Sequence, residues 1–385
     1  MTQLVSENLY NELIAFRHLV HQNPELSGQE FETTKRLTDA LEALDIKIIQ
    51  TNLATGVIAE IGDASKGPTI ALRADIDALP IEEKTNLPYA SVNKGVMHAC
   101  GHDFHQTSLL GAAKILKAQE SSLNGRIRLI FQHAEEIHTG AAEVIADGHL
   151  KDVQAIIGFH NNPAFKAGEI GIKPNGIMAA VDQFYVKIKG IGSHAADPHL
   201  GRDTIVTLTQ IINQLQTIIA RNVSPRDAVV LSVTHIEAGN TWNVLPDEGF
   251  FEGTVRSFDK TARALVKKRF YEIVEHIAAA YQVEAEITWI LGPNVTNNDP
   301  KLTEIIYQET SKFAEAFVPP ASNAGEDFAT FQEQVPGVFA FIGTNGAEDA
   351  PGWHHSDFTV DDTALPFAVE YYVNNAKRLL EELKD

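Results

Sequence analysis

Cys100, the only cysteine of the chain, lies in the stretch MHACGHDFH, with His98, His102 and His105 close by. Thiolate, imidazole and carboxylate are the side chains that hold borderline transition metals. More donors of these types follow short apolar runs: Asp75 and Asp77 after TIALRA, His133, Glu135 and Glu136 after RIRLIFQ, and His160 after AIIGF. His354 and His355 come after VFAFIG, beyond a loop rich in Gly and Pro. The neighbouring carboxylates Glu135 and Glu136 repel, and at a strand end they point to different sides. They read either as two solvated surface acids or as a divided pair, one binding metal while the other takes a proton from the attacking water. Metal-assisted hydrolysis needs that second arrangement.

The elements that must position these residues read as an α/β fold. Leu9, Leu13, Phe16 and Val20 recur at helical spacing behind Ser6, a candidate N-cap, and Asn23-Pro24 ends that helix. Phe31, Leu37, Leu41 and Leu44 mark a second helix. Strand-like runs at 56–61, 69–74, 126–132 and 155–159 alternate with helical stretches from Thr107 to about Gln119 and over GAAEVIADG. This order predicts a mixed, largely parallel sheet flanked by helices. Ligands bind such open sheets beyond the carboxyl ends of the strands. Four strands each delivering donor residues to that edge is the main sequence argument for a site, because a lone histidine after a strand is more often structural.

Residues 180–294 read differently. A half-exposed strand FYVKIKG, a helix through Ile205–Ile219, the strands AVVLSVTHIEA and GFFEGTVRSF, a helix through Leu265–Ile277 and the strand AEITWI follow in turn. The order β-α-β-β-α-β is that of a ferredoxin-like split unit, predicted here as an inserted domain. The catalytic domain is then 1–179 and 295–385. His194, in GSHAADPHLGRD, reads as a loop histidine or as a donor presented to a site outside its own domain. Asn243 and Arg256 lie in the same region, and arginine is the natural partner of a substrate carboxylate.

The 385 residues exceed one ordinary core, and 44% hydrophobic with 21% charged residues describes a globular chain. A net charge of −20 argues against non-specific nucleic-acid binding. A single cysteine fits a reducing compartment, and neither a signal peptide nor an apolar run of membrane-spanning length is read in the sequence. A cytoplasmic protein without nucleic-acid or membrane partners is expected.

The motifs LVHQNPELSGQE, LRADIDALP, MHACGHDFH, FQHAEE, GSHAADPHLGRD, NVLPD, GEDFATF and HHSDFTVDD occur in this order, from about residue 12 to 370. Together they resemble the amidohydrolase branch of the aminoacylase/carboxypeptidase metallohydrolase family. That branch includes hippurate hydrolases, N-acyl-amino-acid hydrolases, N-acetyldiaminopimelate deacetylases and auxin-conjugate hydrolases. The resemblance implies hydrolysis of N-acyl amino acids with two divalent metal ions, drawn from Zn, Mn, Co and Ni. It implies Cys100, His102, Glu136, His160 and His355 as metal ligands, His355 being selected over His354. Glu135 would be the catalytic base, with Asp77 orienting the ligands from behind. His194 would reach the scissile carbonyl, in many relatives from the neighbouring subunit, and Asn243 and Arg256 would contact substrate. The inserted domain would serve as lid and dimerisation surface of a homodimer or higher homo-oligomer. Asp75 stands where related branches place a His ligand. The alternatives are a dipeptidase or carboxypeptidase, and a metal- or peptide-binding protein without turnover on the same scaffold.

Overall fold

The computed structural model describes residues 3–384. Its packing divides into two units: the chain up to Ile177 with Asn297–Pro320 and everything from Asp327, and a second unit of Met178–Thr296 with Ala321–Glu326.

The first unit is built on an eight-stranded sheet. In spatial order its strands are Lys47–Ile49, Val57–Gly62, Arg126–Gln132, Thr69–Asp75, Ala155–Asn162, Gly337–Gly343, Glu169–Gly171 and Glu315–Phe317. The four central strands, from Arg126–Gln132 to Gly337–Gly343, run parallel. Every residue of Thr69–Asp75 and of Gly337–Gly343 is buried, as expected of strands covered on both faces. Helices His102–Ala118 and Leu365–Glu382 supply much of that cover, through Leu109, Leu116, Val369 and Tyr372 among others.

Two of the boundaries that differ from the sequence reading bear on the site. The strand predicted to end at Phe159 continues to Asn162, so His160 sits within it. The helix expected from Thr107 begins at His102. Its first turn is polar (His102, Asp103, His105, Gln106) yet fully buried, so the apolar period that marks a helix is missing there.

The second unit holds strand Ala180–Lys189, helix Thr204–Arg221, strands Val229–Ala238 and Glu248–Ser257, helix Lys260–Ala280 and strand Glu284–Leu291. The four strands form one antiparallel sheet in the spatial order Val229–Ala238, Glu248–Ser257, Ala180–Lys189, Glu284–Leu291. In Ala180–Lys189 fully buried residues alternate with more accessible ones, because only one face is covered, by Leu208, Ile211, Leu215, Val266 and Phe270. His194 lies in a two-residue strand, Ser193–His194, paired with Val244–Leu245.

A buried charge cluster ties helix Glu7–Gln22 to the start of helix His102–Ala118. Arg17 donates to Asp103 at 2.9 Å, to the Tyr89 hydroxyl at 2.9 Å and to Asp362 at 2.5 Å. His21 reaches the same Asp103 oxygen as Arg17, at 3.0 Å. Burial opposes the charge on Asp103, yet His21 and Arg17 outweigh it and hold the carboxyl well below the usual range. Removing one member of a buried pair strands the other, so Arg17→Met should lower stability by about 3–5 kcal/mol in urea denaturation. A loss under about 1 kcal/mol would mean that His21 alone satisfies Asp103.

Candidate metal centre

The carboxyl ends of the parallel strands bring the sulfur, imidazoles and carboxylates together. Cys100 Sγ lies 3.4 Å from His160 Nε2. Single donor atoms of Cys100, His102 and His160 lie within 4.8 Å of one another, and the same holds for Cys100, Glu136 and His354, and for His102, Glu135 and Glu136. Gly101, between the first two donors, has φ +86°, and a Cβ there would collide with the Asn161 side chain. Only glycine lets the turn and the strand approach so closely.

Each imidazole is aimed by a partner on its far side. Asp77 Oδ1 lies 3.1 Å from His102 Nδ1, and the Asn161 carbonyl lies 2.8 Å from His160 Nδ1. With Nδ1–H donating in both rings, each Nε2 offers its lone pair to the cluster. Asp77 also accepts from the Glu136 amide at 3.0 Å and from Ser27 at 2.7 Å. Behind them, His105 accepts the Asn161 amide at Nε2 (2.9 Å) and donates from Nδ1 to Asp75 at 2.6 Å. Arg73 holds the other Asp75 oxygen at 2.8 Å and Asp327 at 2.8 Å. The sequence reading assigned no role to Arg73, His105, Asn161 or Asp327. Two spacings could have found the first two: Arg73 and Asp75 alternate onto one strand face, and His105 follows His102 by one helical turn.

The resemblance selected His355, but the ring that lies beside the cluster is that of His354. His354 Nε2 lies 3.5 Å from Glu136 Oε2, and the His354 amide donates to Ala99 at 2.8 Å, pinning it beside Cys100. His354 takes φ +64°, which turns the chain so that His355 points away. The His355 side chain is 59% exposed and lies beside Asp357. Cys100, His102, Glu136 and His160 are brought together, Glu135 stands next to them, and Asp77 supports His102 and Glu136. His194, Asn243 and Arg256 belong to the second unit.

The donor set fits a metal. Among the described buried atoms without a hydrogen-bond partner are His102 Nε2 and Glu136 Oε1, 3.8 Å apart. Leaving such atoms unmatched in a protein interior is costly, and a cation between them satisfies both. Without the cation the site holds protons instead. Burial, then the nearby Glu136 and Glu135, push the Cys100 thiol well up. Burial also raises Glu136, to about 7. His102 loses basicity to burial but gains more from Asp75 and Asp77, reaching about 10.

Both the thiol and the His102 imidazolium therefore carry protons at neutral pH, and metal binding must displace them. Apparent metal affinity should rise by about 100-fold per pH unit just above neutrality, tenfold for each displaced proton, and more steeply below about pH 7, where Glu136 carries a third. Metal titrations at several pH values check this, and an affinity flat in pH would contradict it.

A sulfur–nitrogen–oxygen cluster with a second carboxylate beside it, set at the carboxyl ends of the parallel strands, is the arrangement of a metallohydrolase. The chain belongs to the Peptidase family M20/M25/M40, which residues 71–378 match. It is 50% identical over 374 residues to an N-acetyl-L-cysteine deacetylase of Bacillus subtilis, covering 97% of this chain and 89% of that one. It is 44% identical over 383 residues to an N-acetylcysteine deacetylase of the same organism, covering 99% and 100%. Its fold matches the crystal structure of a Bacillus subtilis dinuclear metal binding peptidase from the M20 family with a TM-score of 0.87 and 42% identity, over 98% and 99% of the two chains.

Proposed function

We propose that this protein hydrolyses the amide bond of N-acyl amino acids, with two divalent cations held by Cys100, His102, Glu136, His160 and His354. The observation that carries the reading is the pair of buried, unmatched donor atoms, His102 Nε2 and Glu136 Oε1, beside Glu135. A bound divalent ion lowers the pKa of water from about 15.7 to about 7 and polarises a carbonyl. Glu135 accepts a proton from the attacking water as its oxygen bonds to the carbonyl carbon. The same carboxyl then gives that proton to the leaving amine nitrogen as the C–N bond breaks. Its place is fixed partly by the Asp327 amide, which donates to Glu135 Oε1 at 3.3 Å.

In the second unit, His194 Nδ1 accepts from the Ala196 amide at 3.0 Å. That bond places the ring proton on Nε2, as a donor suited to a carbonyl oxygen developing negative charge. Arg256 Nε donates to the Asn323 carbonyl at 3.0 Å, which fixes the guanidinium on its strand. We assign His194 to the scissile carbonyl, and Arg256 with Asn243 to the substrate carboxylate.

The deacetylase names of the two Bacillus subtilis relatives support a short acyl group, and a homodimer or higher homo-oligomer is the proposed assembly. The test is a panel of N-acetyl amino acids and dipeptides offered to the metal-loaded protein, read as amine release. Faster turnover of the acetylated compounds is expected. Preference for dipeptides would move the assignment to a peptidase, and no turnover at full metal content would leave only binding.

A further inference from the structure

Apart from the Ser27 hydroxyl on Asp77, the sequence ELSGQE at 25–30 has no part in the site described so far, yet two of its side chains reach the backbone of the Glu135 loop or its support. Glu30 is completely buried. It stands at the N-cap of helix Phe31–Glu42, where an acidic side chain ordinarily binds the first amides of the helix. It does not do so here. Glu25 takes those amides, accepting from Glu32 at 3.1 Å and Thr33 at 2.7 Å. The Glu30 carboxylate is turned instead to the Ala134 amide, 2.9 Å away, and its other oxygen accepts the Thr55 hydroxyl at 2.8 Å.

Ala134 is the residue before Glu135, and its φ of +50° lies in the left-handed region that alanine avoids. On the other side of Glu135, the Glu136 amide is held by Asp77, which in turn takes the Ser27 hydroxyl. Two buried carboxylates thus grip the amides on either side of one residue, and segment 25–30 supplies one of them and braces the other. Gly28, with φ +75°, makes the bend between Ser27 and Glu30.

We infer that Glu30 is a positioning residue for the general base: its carboxylate holds Ala134 in the left-handed conformation that aims Glu135 at the attacking water while Glu136 faces the cations. The inference rests on the role given to Glu135 above.

It is tested in the full, metal-loaded chain with Glu30→Ala, Glu30→Gln and Thr55→Val, measuring kcat, KM and bound metal on an N-acetyl amino acid that the unmodified protein hydrolyses. Glu30→Ala should lower kcat by roughly 100-fold, as a misplaced reacting group does, with KM and metal content unchanged. Glu30→Gln keeps an oxygen for the Ala134 amide and should remain within about fivefold of the parent protein. Adding Ala134→Gly to Glu30→Ala should restore kcat by about tenfold, because glycine adopts positive φ freely.

An undiminished kcat in Glu30→Ala overturns the inference. So does a fall matched by metal loss, no recovery with Ala134→Gly, or Glu30→Gln as damaged as Glu30→Ala. Should Glu30→Ala not fold, Thr55→Val decides: it removes the hydroxyl steadying Glu30 and should lower kcat by about threefold to tenfold, and no change overturns the inference. Glu135→Gln separates the two readings. Full activity there removes the base itself, whereas an inactive Glu135→Gln beside a fully active Glu30→Ala removes only the positioning role.

Discussion

Glu135→Gln should retain its metal and lose hydrolysis of N-acetyl amino acids by about 10³- to 10⁴-fold. The amide is nearly the shape of the carboxylate, so the loop should keep its place, but it cannot accept the proton of the attacking water. General acid–base groups contribute about 10²- to 10⁴-fold, and a residue serving both proton transfers belongs at the upper end. The loss should fall on kcat with KM little changed, because the missing interaction forms in the transition state. Elemental analysis of the same preparation settles whether the defect is chemical. Near-normal kcat in Glu135→Gln would remove the mechanism, and metal loss in proportion to activity would recast Glu135 as a ligand.

His354→Ala and His355→Ala should behave as opposites. Partners one layer behind a metal ligand cost about 10- to 100-fold in affinity when removed, so deleting a ligand should exceed about 100-fold. His354→Ala is expected to lose tight binding of one cation and nearly all turnover. His355 is largely exposed and touches only its neighbour Asp357 among the described ion pairs, so His355→Ala should stay within about twofold of the parent protein. Equilibrium dialysis against a chelator of known strength, together with kcat, reads both variants. The reverse ranking would restore His355 to the ligand set.

That doubled histidine shows where sequence reasoning stops. Spacing places both rings in one loop, but a backbone angle of +64° at His354 decides which ring turns inward, and no composition or period encodes it. The four donor-bearing strand ends were legible, because strand periods and residue types are local properties. The start of the helix at His102 was not, because the buried His102 and His105 bond to Asp77 and Asp75, far back in the sequence, and the hydrophobic period is silent. Glu30 escaped for a related reason: an acid at a helix start already has an ordinary explanation. Only the three-dimensional arrangement shows Glu25 doing that job and Glu30 bonded to residue 134.

The strand Gly337–Gly343 lies inside its sheet, between Ala155–Asn162 and Glu169–Gly171, although most of the chain precedes it in sequence. During synthesis the sheet is therefore left open until residues 337–343 have been made. The small antiparallel sheet and its two helices come from one uninterrupted stretch and can close while the larger sheet waits. His354 comes later still, so a nascent chain carries Cys100, His102, Glu136 and His160 before the last member of the proposed ligand set. Firm capture of cations by the proposed set thus waits until residue 354 has been made.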